Sequence, residues 1–149
     1  MPRPPFIAIA LLSASVLAYE VLLTRLFSIV LWHHFAYMII SAAMLGYGAS
    51  GTALTLLEEK IAPHFGTVYV MAAAAMAVLM PAVFLLAQQV PFNPLELLWD
   101  STQPARLLAV YLLMMLPFFC GGLGIGLMFL HFGKQASRIY AFDILGAGA

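Results

Sequence analysis

The residues of this chain best suited to chemistry are charged groups set in apolar surroundings. Glu20 and Arg25 interrupt the run Ser13–Ser28, and Asp143 stands in a comparable stretch near the end. A carboxylate inside a bilayer is by default a proton or cation relay. A central charge costs at least ~2.5–3.5 kcal/mol on insertion scales, so it is kept only where it has a partner or a task. On an α-helix five residues turn through about 140°, so Glu20 and Arg25 do not stack as neighbours. Ser13, Glu20 and Thr24 share one face, with Arg25 and Ser28 to one side of it. Three readings compete. Both charges pair with other helices and set the packing register; or Glu20 lies on a proton or cation pathway; or Arg25 snorkels to headgroups and only Glu20 is buried.

Ala141-Phe142-Asp143-Ile144-Leu145 echoes Ala18-Tyr19-Glu20-Val21-Leu22, a small residue and an aromatic before a carboxylate, then two aliphatics. Arg138 stands as far from Asp143 as Arg25 does from Glu20, on the opposite side of the carboxylate. An internal parallel repeat, as in transporters, would leave such a trace, and apolar composition can produce it by chance.

Other motifs read as packing. Gly46, Gly48 and Gly51 form a G-x-G-x-x-G, but a dinucleotide fingerprint needs a preceding strand and a helix opening at the last glycine. These glycines lie mid-way along an apolar helix. There Ala42, Gly46, Ala49, Ser50 and Ala53 fall on one face and would let a second backbone approach closely. Gly121-Gly122-Leu123-Gly124-Ile125-Gly126 lacks the strand-to-helix context and following Lys of a phosphate loop. Its Gly122 and Gly126 suggest a close crossing, or else a broken helix of the transporter kind. His33 and His34 point about 100° apart on a helix and have no Cys or carboxylate at ligand spacing, so Trp32-His33-His34-Phe35 reads as an interfacial break with an aromatic belt. His64 and His131 read as loop or boundary residues, and Cys120 as a small packing residue.

The elements that must position these groups follow from composition. Apolar residues make up 64% of the 149 and charged residues 8%, against roughly 45–50% and about 25% in soluble domains. So few polar groups cannot cover a soluble fold, which places the chain in a bilayer. Zero formal net charge gives no electrostatic case for nucleic acid.

Four runs are long enough to cross a core needing ~20 helical residues. They cover about 6–32, 35–57, 66–87 (with Pro81 expected to kink it) and 107–130, and a fifth opens at Ile139. The fifth has no cap and too few residues to span, so the chain is expected to be a fragment of a longer protein. The linker from Gln88 to Arg106 could hold an interfacial turn at Pro94–Asp100 with Trp99 at headgroup depth. With the amino terminus inside, Arg3, Lys60, Lys134 and Arg138 fall on the inner side and Arg106 on the outer, favouring a cytoplasmic amino terminus. A cleaved signal peptide ending near Ala18 competes, but the apolar run continues well past that point.

The string AYEVLLTRLFSIVLWHHFAYMIISAAMLGYGASG, with the later SRIYAFDILGAGA, resembles the amino-terminal membrane domain of spermidine synthase-like integral membrane proteins. The resemblance rests on Glu20 and Arg25 in the first helix, Ser41, Gly46 and Gly51 in the second, and Arg138, Ile139, Tyr140, Asp143 and Gly146 in the fifth. It covers essentially the whole chain but only the first part of such a protein. It implies a transporter-like helix bundle ahead of a cytosolic domain of the polyamine aminopropyltransferase type, whose glycine-rich and acidic donor site has no counterpart here.

The expectation is therefore an all-α, polytopic transmembrane bundle with four complete spans and the start of a fifth, in a bacterial inner membrane. It would serve as an anchor or transporter-like bundle for a soluble domain absent from this chain. The alternatives are a small-solute or proton-coupled transporter fragment, or an accessory subunit. Glu20, Thr24, Arg25 and Asp143 are the candidate polar site, and Ala42, Gly46, Ser50, Gly122 and Gly126 the packing residues. No catalytic residue, cofactor or metal is expected, and the partners are the bilayer, further helices and the soluble domain.

Overall fold

Backbone N–H and C=O groups find no partner in hydrocarbon, so long runs of Leu, Ala, Met and Phe can cross it only as helices or closed barrels. In the computed structural model, which describes residues 5–30, 36–91, 96 and 99–148, the runs are helices. They are α1 (Phe6–Val30), α2 (Ala36–Ile61), α3 (Phe65–Gln89), α4 (Gln103–His131) and α5 (Ala136–Ala147), with single 3-10 turns at Ala62–His64 and Gly133–Gln135. Three stretches are long and apolar enough to cross a membrane: Phe6–Ile29, Tyr37–Gln89 and Gln103–His131. The second contains both α2 and α3. Large apolar side chains also point outward, Ile29 at 84% and Leu56 at 77% exposure, which suits lipid and would be a liability in water.

The helix ends differ from the expected spans for local reasons. The second runs on through Glu58-Glu59-Lys60 to Ile61, because Glu and Lys are good helix formers even where they end an apolar run. The fourth begins at Gln103, with Pro104 in its first turn, where a missing N–H breaks no helical bond. The fifth begins at Ala136 instead of Ile139. The boundary between the first two spans, with Trp32-His33-His34-Phe35, lies outside the described residues, as do Arg3 and most of the expected interfacial turn.

Both internal prolines stay within helices, Pro81 in α3 and Pro117 in α4. Each removes an N–H from the helical ladder. One residue before Pro81, the Tyr19 hydroxyl of α1 donates to the Met80 carbonyl at 3.0 Å and ties α1 to α3.

The register of contacts defines the topology around α4. Along α1, Leu12 approaches Gly124, Val16 approaches Gly121, and the Tyr19 ring lies 5.6 Å from that of Phe118. Numbers rise on α1 as they fall on α4, so the pair is antiparallel. Along α2, Gly46 meets Met115–Phe119, Ser50 meets Gly122, and Leu54 meets Gly126. Both series rise, so α2 and α4 are parallel, and theirs is the most extensive helix pair. On α3, Met76 approaches Gly121, and Phe65 stacks on His131 at 4.2 Å, again antiparallel. Thus α1 and α3 run one way and α2 and α4 the other.

Glycine makes these approaches possible. A methyl group at Gly46 would fall 2.8 Å from Phe118 Cβ and 2.9 Å from the Met115 carbonyl oxygen. At Gly122 it would fall 2.5 Å from Ser50 Oγ, and at Gly121 2.6 Å from Val16 Cγ2. Lipid is as apolar as leucine, so close van der Waals packing takes over from the hydrophobic effect in holding such helices together. Helix α5 lies against α1. Phe142 stacks on Phe6 at 4.8 Å, Gly146 abuts the Ala10 backbone, and Ile139 joins Ile9 and Met128 in a small buried cluster.

Candidate intramembrane polar site

Polar groups of α1 and α5 come together where the two helices pack, with Tyr47 of α2 on the neighbouring helix. Ser13 is buried on α1, on the flank that receives α5, and its hydroxyl donates to an Asp143 carboxylate oxygen. Asp143 reaches this position because Ala10 and Gly146 hold the two backbones in contact. From α2, the Tyr47 phenol interacts electrostatically with both Glu20 and Asp143. Tyr47 is held by its neighbours: its ring lies 6.5 Å from that of Phe118, and Gly122 faces it from α4.

The predicted site residues therefore take different places. Asp143 accepts from Ser13 of α1. Glu20 and Thr24 are half-buried, while Arg25 is exposed on another side of α1, as the helical rotation between them requires. The Ser28 hydroxyl donates to the Arg25 carbonyl at 2.7 Å. Ala42, Gly46, Ser50 and Gly122 are buried and Gly126 is half-buried, the α2 face lying on the α4 face. Ser50 spends its hydroxyl on its own helix, donating to the Tyr47 carbonyl at 2.8 Å. Gly48 and Gly51 face open space.

Tyr47, Tyr19 and Gly146 were not singled out as site or packing residues by spacing. The signal for the tyrosines was present: a phenol deep in an apolar helix needs a polar partner. The signal for Gly146 was not, because only the partner helix shows that a backbone passes there.

Chemically, a carboxylate bonded to a hydroxyl, which both donates and accepts, can hold a proton between two oxygen atoms. Among the described residues no group of three His, Cys, Asp or Glu side chains gathers as metal ligands. His64 is exposed on its 3-10 turn, His131 is exposed at the end of α4, and Cys120 is a half-buried free thiol of α4.

At the other end of α4, Asp100 organises the connection from α3. It accepts from the Thr102 N–H at 2.9 Å, from the Thr102 hydroxyl and from Gln103 Nε2 at 3.1 Å. The hydrogen bond from the Thr102 backbone, with those side-chain donors, holds the Asp100 carboxyl below the usual carboxylate range. Arg106 donates to the Pro91 carbonyl at 2.9 Å across the same connection.

No family model, curated protein or solved structure matches this chain. What the fold and composition define is a class: an all-helical protein with apolar helices of membrane-spanning length.

Proposed function

We propose that this chain is the amino-terminal membrane domain of a spermidine synthase-like integral membrane protein of a bacterial inner membrane. In this reading it is a transporter-like bundle whose Glu20 and Asp143 lie on a proton or cation pathway, joined to a soluble aminopropyltransferase-type domain. The carrying observation is the Asp143 carboxylate of α5 accepting from the buried Ser13 hydroxyl of α1, on the helix that also carries the half-buried Glu20. Intramembrane carboxylates are costly to keep, and two on neighbouring helices, one of them bonded to a buried hydroxyl, accord with a pathway.

The Tyr37–Gln89 stretch is read as two crossings. Its helices have 26 and 25 residues, each about 38 Å long and sufficient for a core of about 30 Å. With α1 and α4 this makes four spans, and α5 opens a fifth. Lys60, in the last turn of α2, and Lys134, on the 3-10 turn after α4, share one end of the bundle, which supports a cytoplasmic amino terminus by the excess of Lys and Arg there.

The test is transport in proteoliposomes, following a pH-sensitive dye in the lumen. Glu20→Gln and Asp143→Asn each abolish proton-linked flux while leaving circular dichroism and elution volume unchanged. Normal flux in both variants overturns the pathway. An anchoring bundle, the second reading, shows no flux even in the parent chain.

A further inference from the structure

The α1 and α3 helices both pack on α4 but part from each other along their outer sides. They leave an apolar groove of about 350 Å³ lined by Ala8, Leu11 and Ser15 of α1 and by Tyr69, Ala73 and Ala77 of α3. That volume is in the range of small-ligand sites. Its rim residue Leu11 is 63% exposed, so the groove opens sideways, toward the lipid-facing surface. Towards one end an aromatic ladder leads out of it. Tyr69 stacks on Phe65 at 5.9 Å, and Phe65 stacks on His131 at 4.2 Å. Lys134, on the 3-10 turn that follows His131, and Arg138, in the first turn of α5, are exposed cations. The carboxylates of that end, Glu58 and Glu59, belong to α2, which does not line the groove.

We propose that this groove is a binding site for one anionic glycerophospholipid, with an acyl chain between α1 and α3 and the phosphate at His131 and Lys134. The shape and the charge agree. A methylene chain fills a narrow trough lined by Ala, Leu and Met, which hydrocarbon would otherwise have to pack against at a loss of contacts. Aromatic rings at a helix end sit at headgroup depth, and each cation near an anionic headgroup contributes on the order of 1 kcal/mol. The assignment needs only that the helices lie in a bilayer, and it stands apart from any pathway through Glu20.

The test uses the delipidated full chain in detergent, with dioleoylphosphatidylglycerol or dioleoylphosphatidylcholine added separately and retention read by native mass spectrometry. The parent retains one phosphatidylglycerol with about fivefold preference over phosphatidylcholine. Lys134→Gln removes the preference, and Ala77→Phe, which fills the trough, removes retention of both lipids. Retention in Ala77→Phe equal to that of the parent overturns the proposal, as does an intact preference in Lys134→Gln. So does a protein dimer that Ala77→Phe disrupts, which would give the groove to a second helix. A readout without bulk in the trough comes from Leu11→Trp in a chain with Trp32→Phe and Trp99→Phe. Its fluorescence is quenched by phosphatidylglycerol brominated on the acyl chain, and an unquenched indole also overturns the site.

Discussion

At the scale of the residue, position on the helix decides what each ionisable group can do. Asp143 accepts a hydrogen bond from the Ser13 hydroxyl, Glu20 is half-buried, and Arg25, a few positions on, is exposed. Asp100 is the clearest case outside the membrane-spanning helices. Its carboxyl is held low by donors that exist only in the folded chain, so the associated stabilisation is present above the unfolded value of about 3.9 and is lost as pH falls through the lower folded value. Acidification below about pH 4 should therefore release Thr102 and Gln103 and loosen the start of α4. The protection of the Thr102 and Gln103 amides, taken as observed exchange relative to the intrinsic rate at each pH, should fall in that window and not near neutrality. In Asp100→Asn the acid-dependent step should disappear, since the carboxamide does not titrate.

At the scale of the element, α4 works as a glycine-studded spine, and each glycine serves a particular neighbour. Gly121 and Gly124 admit Val16 and Leu12 of α1, while Gly122 and Gly126 admit Ser50 and Leu54 of α2. Gly46→Leu should drive a side chain into the α4 backbone and cost ~1–3 kcal/mol or more, as overpacking does. Gly146→Leu should separate α5 from α1, because the obstacle there is the Ala10 backbone and not a flexible side chain. Gly48→Ala faces open space and should be neutral or stabilising by up to about 1 kcal/mol, since alanine is the better helix former. Unfolding by graded denaturant in mixed micelles measures all three, and equal losses at Gly46 and Gly48 would contradict the α2–α4 register. Much of this was legible beforehand: Gly46, Ser50, Gly122 and Gly126 stand out as small residues at helical spacing. What spacing could not supply was that the two faces meet each other, or that they meet in parallel.

At the scale of the whole molecule, the alternating direction of α1 to α4 places the Ala62–His64 and Gly133–Gln135 turns at one end and the Asp100–Arg106 connection at the other. Single cysteines at His64, Lys134 and Ser101, in a chain with Cys120→Ala, should test the sidedness. A membrane-impermeant maleimide applied to intact cells should leave the first two unlabelled and label the third, and all three should react after permeabilisation. Labelling of His64→Cys and Lys134→Cys from outside would invert the bundle and move the amino terminus with it.

The sequence by itself determined that this chain is helical and lipid-compatible, because so few polar groups can be covered in no other way and unbroken apolar runs satisfy their backbones internally. It also marked the costly charges and the small-residue faces, since both are properties of one helix read along its own axis. The tertiary structure alone decided which helices those features address: Asp143 meets Ser13, Gly46 receives Phe118 of α4, and Gly146 yields to Ala10. The reason is physical. In lipid every apolar face is nearly equivalent, so the choice of partner rests on close packing and a few polar contacts between segments far apart in the chain, which no local pattern records.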